Sequence, residues 1–133
     1  MTPELIQLAK QMYALMMREK GLGLAAPQVG ESIRLIVARA GLRPVYLFNP
    51  IIVKSSRDKG TSNEGCLSFP GEYVPIQRSY AIFVQYTDIN NKRKSQQFYG
   101  LQARAVIHEI EHLDGINLVD HNEDLRKKYE EKA

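Results

Sequence analysis

Residues 101–114 read LQARAVIHEIEHLD. Gly100 opens the segment, Gly115 closes it, and Leu101, Ala105, Val106, Ile107, Ile110 and Leu113 spread apolar side chains over most of a helical circumference. A helix apolar on most sides is a buried one, so the segment predicts a central helix with the other elements packed around it. His108, Glu109 and His112 interrupt that apolar surface, which is costly unless their polar atoms find partners. Positions i and i+4 of a helix share a face. The H-E-x-x-H spacing therefore lets both imidazoles ligate one metal ion while Glu109 reaches a water bound to it. The alternative is a pair of ordinary core histidines beside a coincidental glutamate, which needs two separate sets of buried partners.

Outward from this helix, the hydropathy pattern predicts the rest of an α+β domain. Thr2-Pro3-Glu4 starts a helix, with a hydroxyl cap, proline at the first helical position and an acid in the first turn. Leu5, Leu8, Ala9, Met12, Leu15 and Met16 form its apolar stripe, and Gly21 ends it. Short β-rich runs follow at Arg34 to Ala38, Val45 to Phe48 and Ile51 to Val53, with a break at Pro50. Residues 55–63 are polar and read as a loop. Tyr73 to Arg78, Ala81 to Tyr86 and Ser95 to Tyr99 read as strands, the last two joined by a turn at Asp88 to Lys92 into an antiparallel hairpin. Ile116 to Val119 reads as a brief strand, and Asn122 to Lys132 as a charged helix docking through Leu125 and Tyr129. The expected architecture is antiparallel β-sheets packed around the central helix that carries the histidines.

A chain of 133 residues is one domain by length and large enough for a hydrophobic core. With 44% hydrophobic and 25% charged residues its composition is that of a globular protein. The apolar runs are too short to cross a bilayer, and Glu4, Lys10, Arg18, Glu19 and Lys20 give the first residues an amphipathic pattern rather than that of a signal peptide. The expectation is a cytoplasmic protein of the bacterial cytosol or an equivalent reducing compartment, with no membrane partner. A net charge of +3 is mild, and with no nucleic-acid motif beside it no specific DNA partner is expected. The single cysteine, Cys66, has no internal disulfide partner and is a spectator, a reactive thiol or a ligand.

Two histidines leave a tetrahedral site that keeps a position for water one protein ligand short. A metzincin places its third histidine in H-E-x-x-H-x-x-G-x-x-H, and this chain follows that pattern through Gly115 but has Leu118 at the last position. A thermolysin-like arrangement needs a later glutamate, and Glu123 or Glu130 in the charged tail is a poor source.

Three motifs in order carry a resemblance to a known family: GLGLAAPQ at residues 21–28, EGCLS at residues 64–68 and IHEIEHLDG at residues 107–115. With them the chain resembles the peptide deformylases from about residue 5 to residue 120. It departs from the family at Ile107, usually glutamine, and at Glu111, usually aspartate. Its start near the first helix and its end soon after the metal helix read as a minimal form with shortened terminal regions.

The resemblance implies that Cys66, His108 and His112 bind one divalent metal ion, iron(II) in the family's physiological state, with zinc, nickel or cobalt suited to the same donors. It implies hydrolysis of the N-formyl group from formyl-methionyl peptides and nascent chains, with release of formate and the ribosome as a possible docking partner. Glu109 would take the proton of the attacking water and pass it to the leaving amine. Gln28 and the Leu67 backbone N–H would donate to the developing oxyanion. Leu22, Gly23 and Gly65 would line the peptide cleft, and Leu101 and Ala105 would join Leu22 and His108 around the methionine side chain. Glu64 and Arg78 would pair to brace the cysteine loop, Glu111 would orient a ligand histidine, and His121, outside the motifs, is expected to be exposed and without a role. Two other functions compete: a general metallopeptidase, and a binding module with a structural metal.

Overall fold

The computed structural model describes residues 1–132. Helix α1 (Pro3–Arg18) starts where Thr2 Oγ1 accepts the Leu5 N–H at 3.2 Å, with Pro3 in its first turn. Strands β1 (Gly23–Ala25), β2 (Leu35–Ala40), β3 (Arg43–Ser55), β6 (Ala81–Thr87) and β7 (Arg93–Tyr99) form an antiparallel sheet in the order β1-β2-β3-β6-β7. Strands β4 (Lys59–Cys66) and β5 (Phe69–Ser79) pair only with each other, as a two-stranded ribbon. Helix α2 (Gly100–Leu113) follows β7, and a 3-10 turn (Leu118–His121) leads to α3 (Glu123–Lys132).

The period of two along a strand explains how the sheet holds both long helices. On β2, Leu35 and Val37 turn to the side where Ala9, Met12 and Met16 of α1 pack. Ile36 and Ala38 turn to the opposite side, against Ala103, Val106 and Ile110 of α2. A strand buried on both faces reads as a continuous apolar run, which is why residues 35–38 show no alternation. From β6 and β7, Ile82, Val84 and Phe98 extend the α2 side. Gly115, at φ 79°, lets the chain leave α2. Among the described residues no helix is long and apolar enough to cross a membrane.

Three expectations fail for identifiable reasons. Pro50 does not divide two strands: β3 runs unbroken from Arg43 to Ser55, and Pro50 falls in a register shift between Phe48 and Ile51, beside Asn49 at φ 52°. A bulge is where a strand tolerates a residue without an N–H. Much of the stretch expected to be a loop is β4, from Lys59; its buried residue is Glu64, a charge, so no apolar alternation marks it. Residues 116–119 are not a strand: the chain forms the 3-10 turn at Leu118–His121, with Asp120 Oδ2 accepting the Asn117 N–H at 2.7 Å. Strand β1 and the 3-10 turn Ala26–Val29 were too short to leave a periodic signal.

Candidate metal centre

Helix α2 presents His108 and His112 on one face, and the tip of the ribbon brings Cys66 to them. Cys66 Sγ is 3.3 Å from His112 Nε2, which is 3.0 Å from His108 Nε2. The three donor atoms lie within 4.8 Å of one another. The outward nitrogens are engaged: His108 Nδ1 donates to Glu64 Oε1 at 3.0 Å and His112 Nδ1 to Asn117 Oδ1 at 3.1 Å. Since both partners are oxygen acceptors, each ring carries a proton on its outer nitrogen and turns Nε2 inward, where either a proton or a metal ion can occupy it.

Two inward lone pairs and a sulfur this close repel unless positive charge lies among them. Burial raises the pKa of the Cys66 thiol, but hydrogen bonds from His108 and His112 outweigh it and bring the value down to about 5. Burial works against a charged His108, yet the Cys66 sulfur and Glu64 push its pKa up to about 10. The cluster thus favours a thiolate opposite cationic partners, the charge pattern that a bound cation satisfies. A soft thiolate with two imidazoles fits zinc, iron(II), cobalt or nickel.

Glu109 lies beside this cluster, 3.9 Å from His112 Nε2. Its Oε1 is buried without a hydrogen-bond partner among the described residues, an arrangement that proteins rarely leave unsatisfied. Burial raises its pKa to about 7, against the lowering influence of His108 and His112. The backbone of Gly23 packs directly on its side chain.

Gln28 stands in the 3-10 turn. Its Oε1 accepts the Ala25 N–H at 2.9 Å, which fixes the amide so that Nε2 points at Cys66 Sγ (3.4 Å) and Ser68 Oγ (3.0 Å). A cleft of about 790 Å³ runs past these groups, lined by Leu22, Gly23, Gly65, Leu67, Leu101 and Ala105 among others. Leu22 and Leu101 are 47% and 66% exposed at its wall. Every residue expected in the cleft is there.

Behind the donors, Glu64 is buried and receives Arg78 through two bonds of 3.0 Å and Arg104 Nη1 at 2.6 Å. Burial raises the Glu64 pKa, but His108, Arg78 and Arg104 together hold it down at about 2. Glu111 meets neither His108 nor His112. It pairs with Arg78 Nη1 at 2.8 Å and with His121 Nε2 at 2.8 Å, and His121 is exposed as expected. The residue that meets His112 is Asn117, beyond the end of α2. Asn117 and Arg104 escaped the sequence reading because neither belongs to a motif; the one available signal for Arg104 was its position one turn before His108, on the same face.

A family model described as polypeptide deformylase matches residues 1–128. The chain is 42% identical over 126 residues to a peptide deformylase of Dictyoglomus thermophilum, covering 95% of this chain and 82% of that one. Its fold superposes with a TM-score of 0.87 and 39% identity on a peptide deformylase from Synechococcus elongatus in complex with actinonin, covering 97% of this chain and 72% of that one. A class I type b peptide deformylase from Acinetobacter baumannii bound to Met-Ala-Ser gives a TM-score of 0.84 at 35% identity, over 90% of this chain and 82% of that one.

Proposed function

The chain belongs to the polypeptide deformylase family, and from that premise we propose that Cys66, His108 and His112 hold its metal ion while Glu109, Gln28 and the Leu67 amide carry the reaction, in one catalytic domain. The enzyme is a metal-dependent hydrolase that removes the N-formyl group from the amino termini of new proteins, releasing formate. The single observation that carries the assignment of residues is the convergence of Sγ and two Nε2 atoms beside a buried carboxylate oxygen that has no partner.

A divalent ion held by these donors would supply Lewis acidity, lowering the pKa of water and polarising a carbonyl oxygen. Glu109 is placed to take a proton from water entering the cleft and pass it to the departing amine, so one carboxylate serves as base and then as acid. Burial raises the Glu109 carboxyl above its ordinary value, toward the range that suits both steps. Because Gln28 Oε1 is held by Ala25, Nε2, which here donates to Cys66 Sγ and Ser68 Oγ, is the end that turns to the formyl oxygen, with the Leu67 N–H, as that oxygen gains charge. Leu22, Gly23 and Gly65 line the path of an extended formyl-methionyl peptide, and Leu101 and Ala105 enclose the methionine. Glu64 and Arg78 fix the ligands, Glu64 through His108 directly, while Glu111 acts at one remove through Arg78.

Iron(II) is the physiological ion in this reading, with zinc, nickel and cobalt able to replace it. The enzyme works in the bacterial cytosol or a similar reducing compartment, and its net charge of +3 favours contact with the ribosome that presents its substrate. The test is metal content after oxygen-free purification together with formate release from formyl-Met-Ala-Ser. One metal per chain and formate release are expected. Internal cleavage of a blocked peptide would make the chain a general peptidase, and full metal without hydrolysis would leave a binding module.

A further inference from the structure

The thiol and the two histidines stand on different parts of the fold. Helix α2 shares its core with the five-stranded sheet through Ala103, Val106 and Ile110. The β4–β5 ribbon instead buries Val74 and Ile76 with Leu118, in a cluster that takes no residue from α2. At its base the ribbon is tied to the large sheet, where the Ser56 N–H reaches Ala81 O at 2.9 Å, and closed on itself where the Tyr80 N–H reaches Asp58 O at 2.9 Å. Cys66 is at the other end, a lever arm of about 20 Å at roughly 3.3 Å per residue. A small swing at the base therefore displaces Sγ by more than the ~0.2 Å that a metal–ligand distance tolerates.

Arg104 bridges that gap. It lies one turn before His108 on the same helical face, with its side chain 13% exposed. Nη1 donates to Glu64 Oε2 at 2.6 Å and to Ile76 O at 2.7 Å, and Nη2 donates to Gly60 O at 2.6 Å. Gly60 and Glu64 belong to β4 and Ile76 to β5, so one planar fork holds both strands of the ribbon between its base and its tip. Glu64 in turn accepts from His108, so the same guanidinium restrains the acceptor that aims a ligand ring.

We propose that Arg104 is a positioning residue that holds the β4–β5 ribbon, and with it Cys66 Sγ, at binding distance from His108 and His112. This rests on the metal site proposed above. The ribbon's own cluster and its base hold the fold; Arg104, beside the Arg78–Glu111 pair that also joins β5 to α2, sets where the tip stands. A lysine restores charge opposite Glu64, but a single ammonium lacks the fork that serves acceptors on both strands.

The experiment is titration of the metal-free protein and of Arg104→Met and Arg104→Lys with cobalt(II), against a chromophoric chelator, following the thiolate-to-cobalt charge-transfer band. Arg104→Met is expected to bind cobalt 10- to 100-fold more weakly, with a shifted or weakened band and unchanged far-ultraviolet circular dichroism. Arg104→Lys is expected to fall between it and the parent. Parent-like affinity and band in Arg104→Met would overturn the proposal. So would full recovery in Arg104→Lys, which would make charge alone sufficient, or loss of the fold in Arg104→Lys. Failure of the parent itself to bind cobalt would instead bring down the metal site.

Discussion

A Cβ on Gly23 would lie 2.8 Å from Glu109 Cγ and 2.9 Å from Glu109 Oε2. Strand β1 thus forms the wall that sets where the carboxylate stands, and only a residue without a side chain permits that approach. Gly23→Ala is expected to push Glu109 away from the donor cluster while leaving all three metal donors in place. A displacement of about 1 Å in a catalytic group costs on the order of a hundredfold in rate. The check is kcat from formate release beside metal content per chain; a large loss of kcat at full metal content is the expected pair.

Glu109→Gln keeps the shape of the side chain and removes its basicity. The variant should retain its metal, since the proposed donors are Cys66, His108 and His112, and lose about 10²- to 10⁴-fold in turnover. Its pH–rate profile should also lose the limb that Glu109 contributes. Unchanged turnover would remove Glu109 from the mechanism.

How much of this was legible beforehand follows from where each signal lies. Helices α1 and α2 were readable because an apolar stripe and an apolar circumference repeat over several turns. The hairpin of β6 and β7 was readable because Asp88 and its neighbours mark the turn. Strand β4 was hidden, since its one buried residue is the charge Glu64 and its outward residues are polar, and the signal that would reveal it lies in the partners it meets in space. The donors and the cleft followed from motifs, each a short local string. The supports did not: Asn117 and Arg104 act on His112 and Glu64 through folding that no local spacing encodes, and Glu111 turned out to face Arg78.

Asn117 offers a direct test of such a support. Its Oδ1 takes the outward proton of His112 at 3.1 Å and thereby keeps Nε2 turned toward Cys66. Asn117→Ala should weaken metal binding by about 10- to 100-fold, read by competition with a chelator. Asn117→Asp supplies an acceptor again and should recover most of the loss. Equal affinity in all three proteins would show that His112 needs no such anchor.

Asp88 gives a prediction about pH that lies outside the metal cluster. Burial raises its pKa, but the Lys92 N–H, the Lys94 ammonium and the Asn90 N–H outweigh it and hold the carboxyl below its ordinary 3.8. Its Oδ1 accepts both backbone N–H groups at 2.9 Å and so fixes the turn between β6 and β7. A carboxylate whose pKa is depressed on folding stabilises the native state above its unfolded value and loses that contribution as pH falls through the folded one. Asp88→Asn keeps an acceptor but gives up the charge, costing about 1 kcal/mol at pH 7. Most of the Lys94 pairing is solvent-screened and adds little. Urea unfolding of parent and variant, both metal-free, should therefore show the gap in stability at pH 7 and see it close as pH drops below 3.8. A gap that persists in acid would mean that the carboxylate's charge is not what secures the turn.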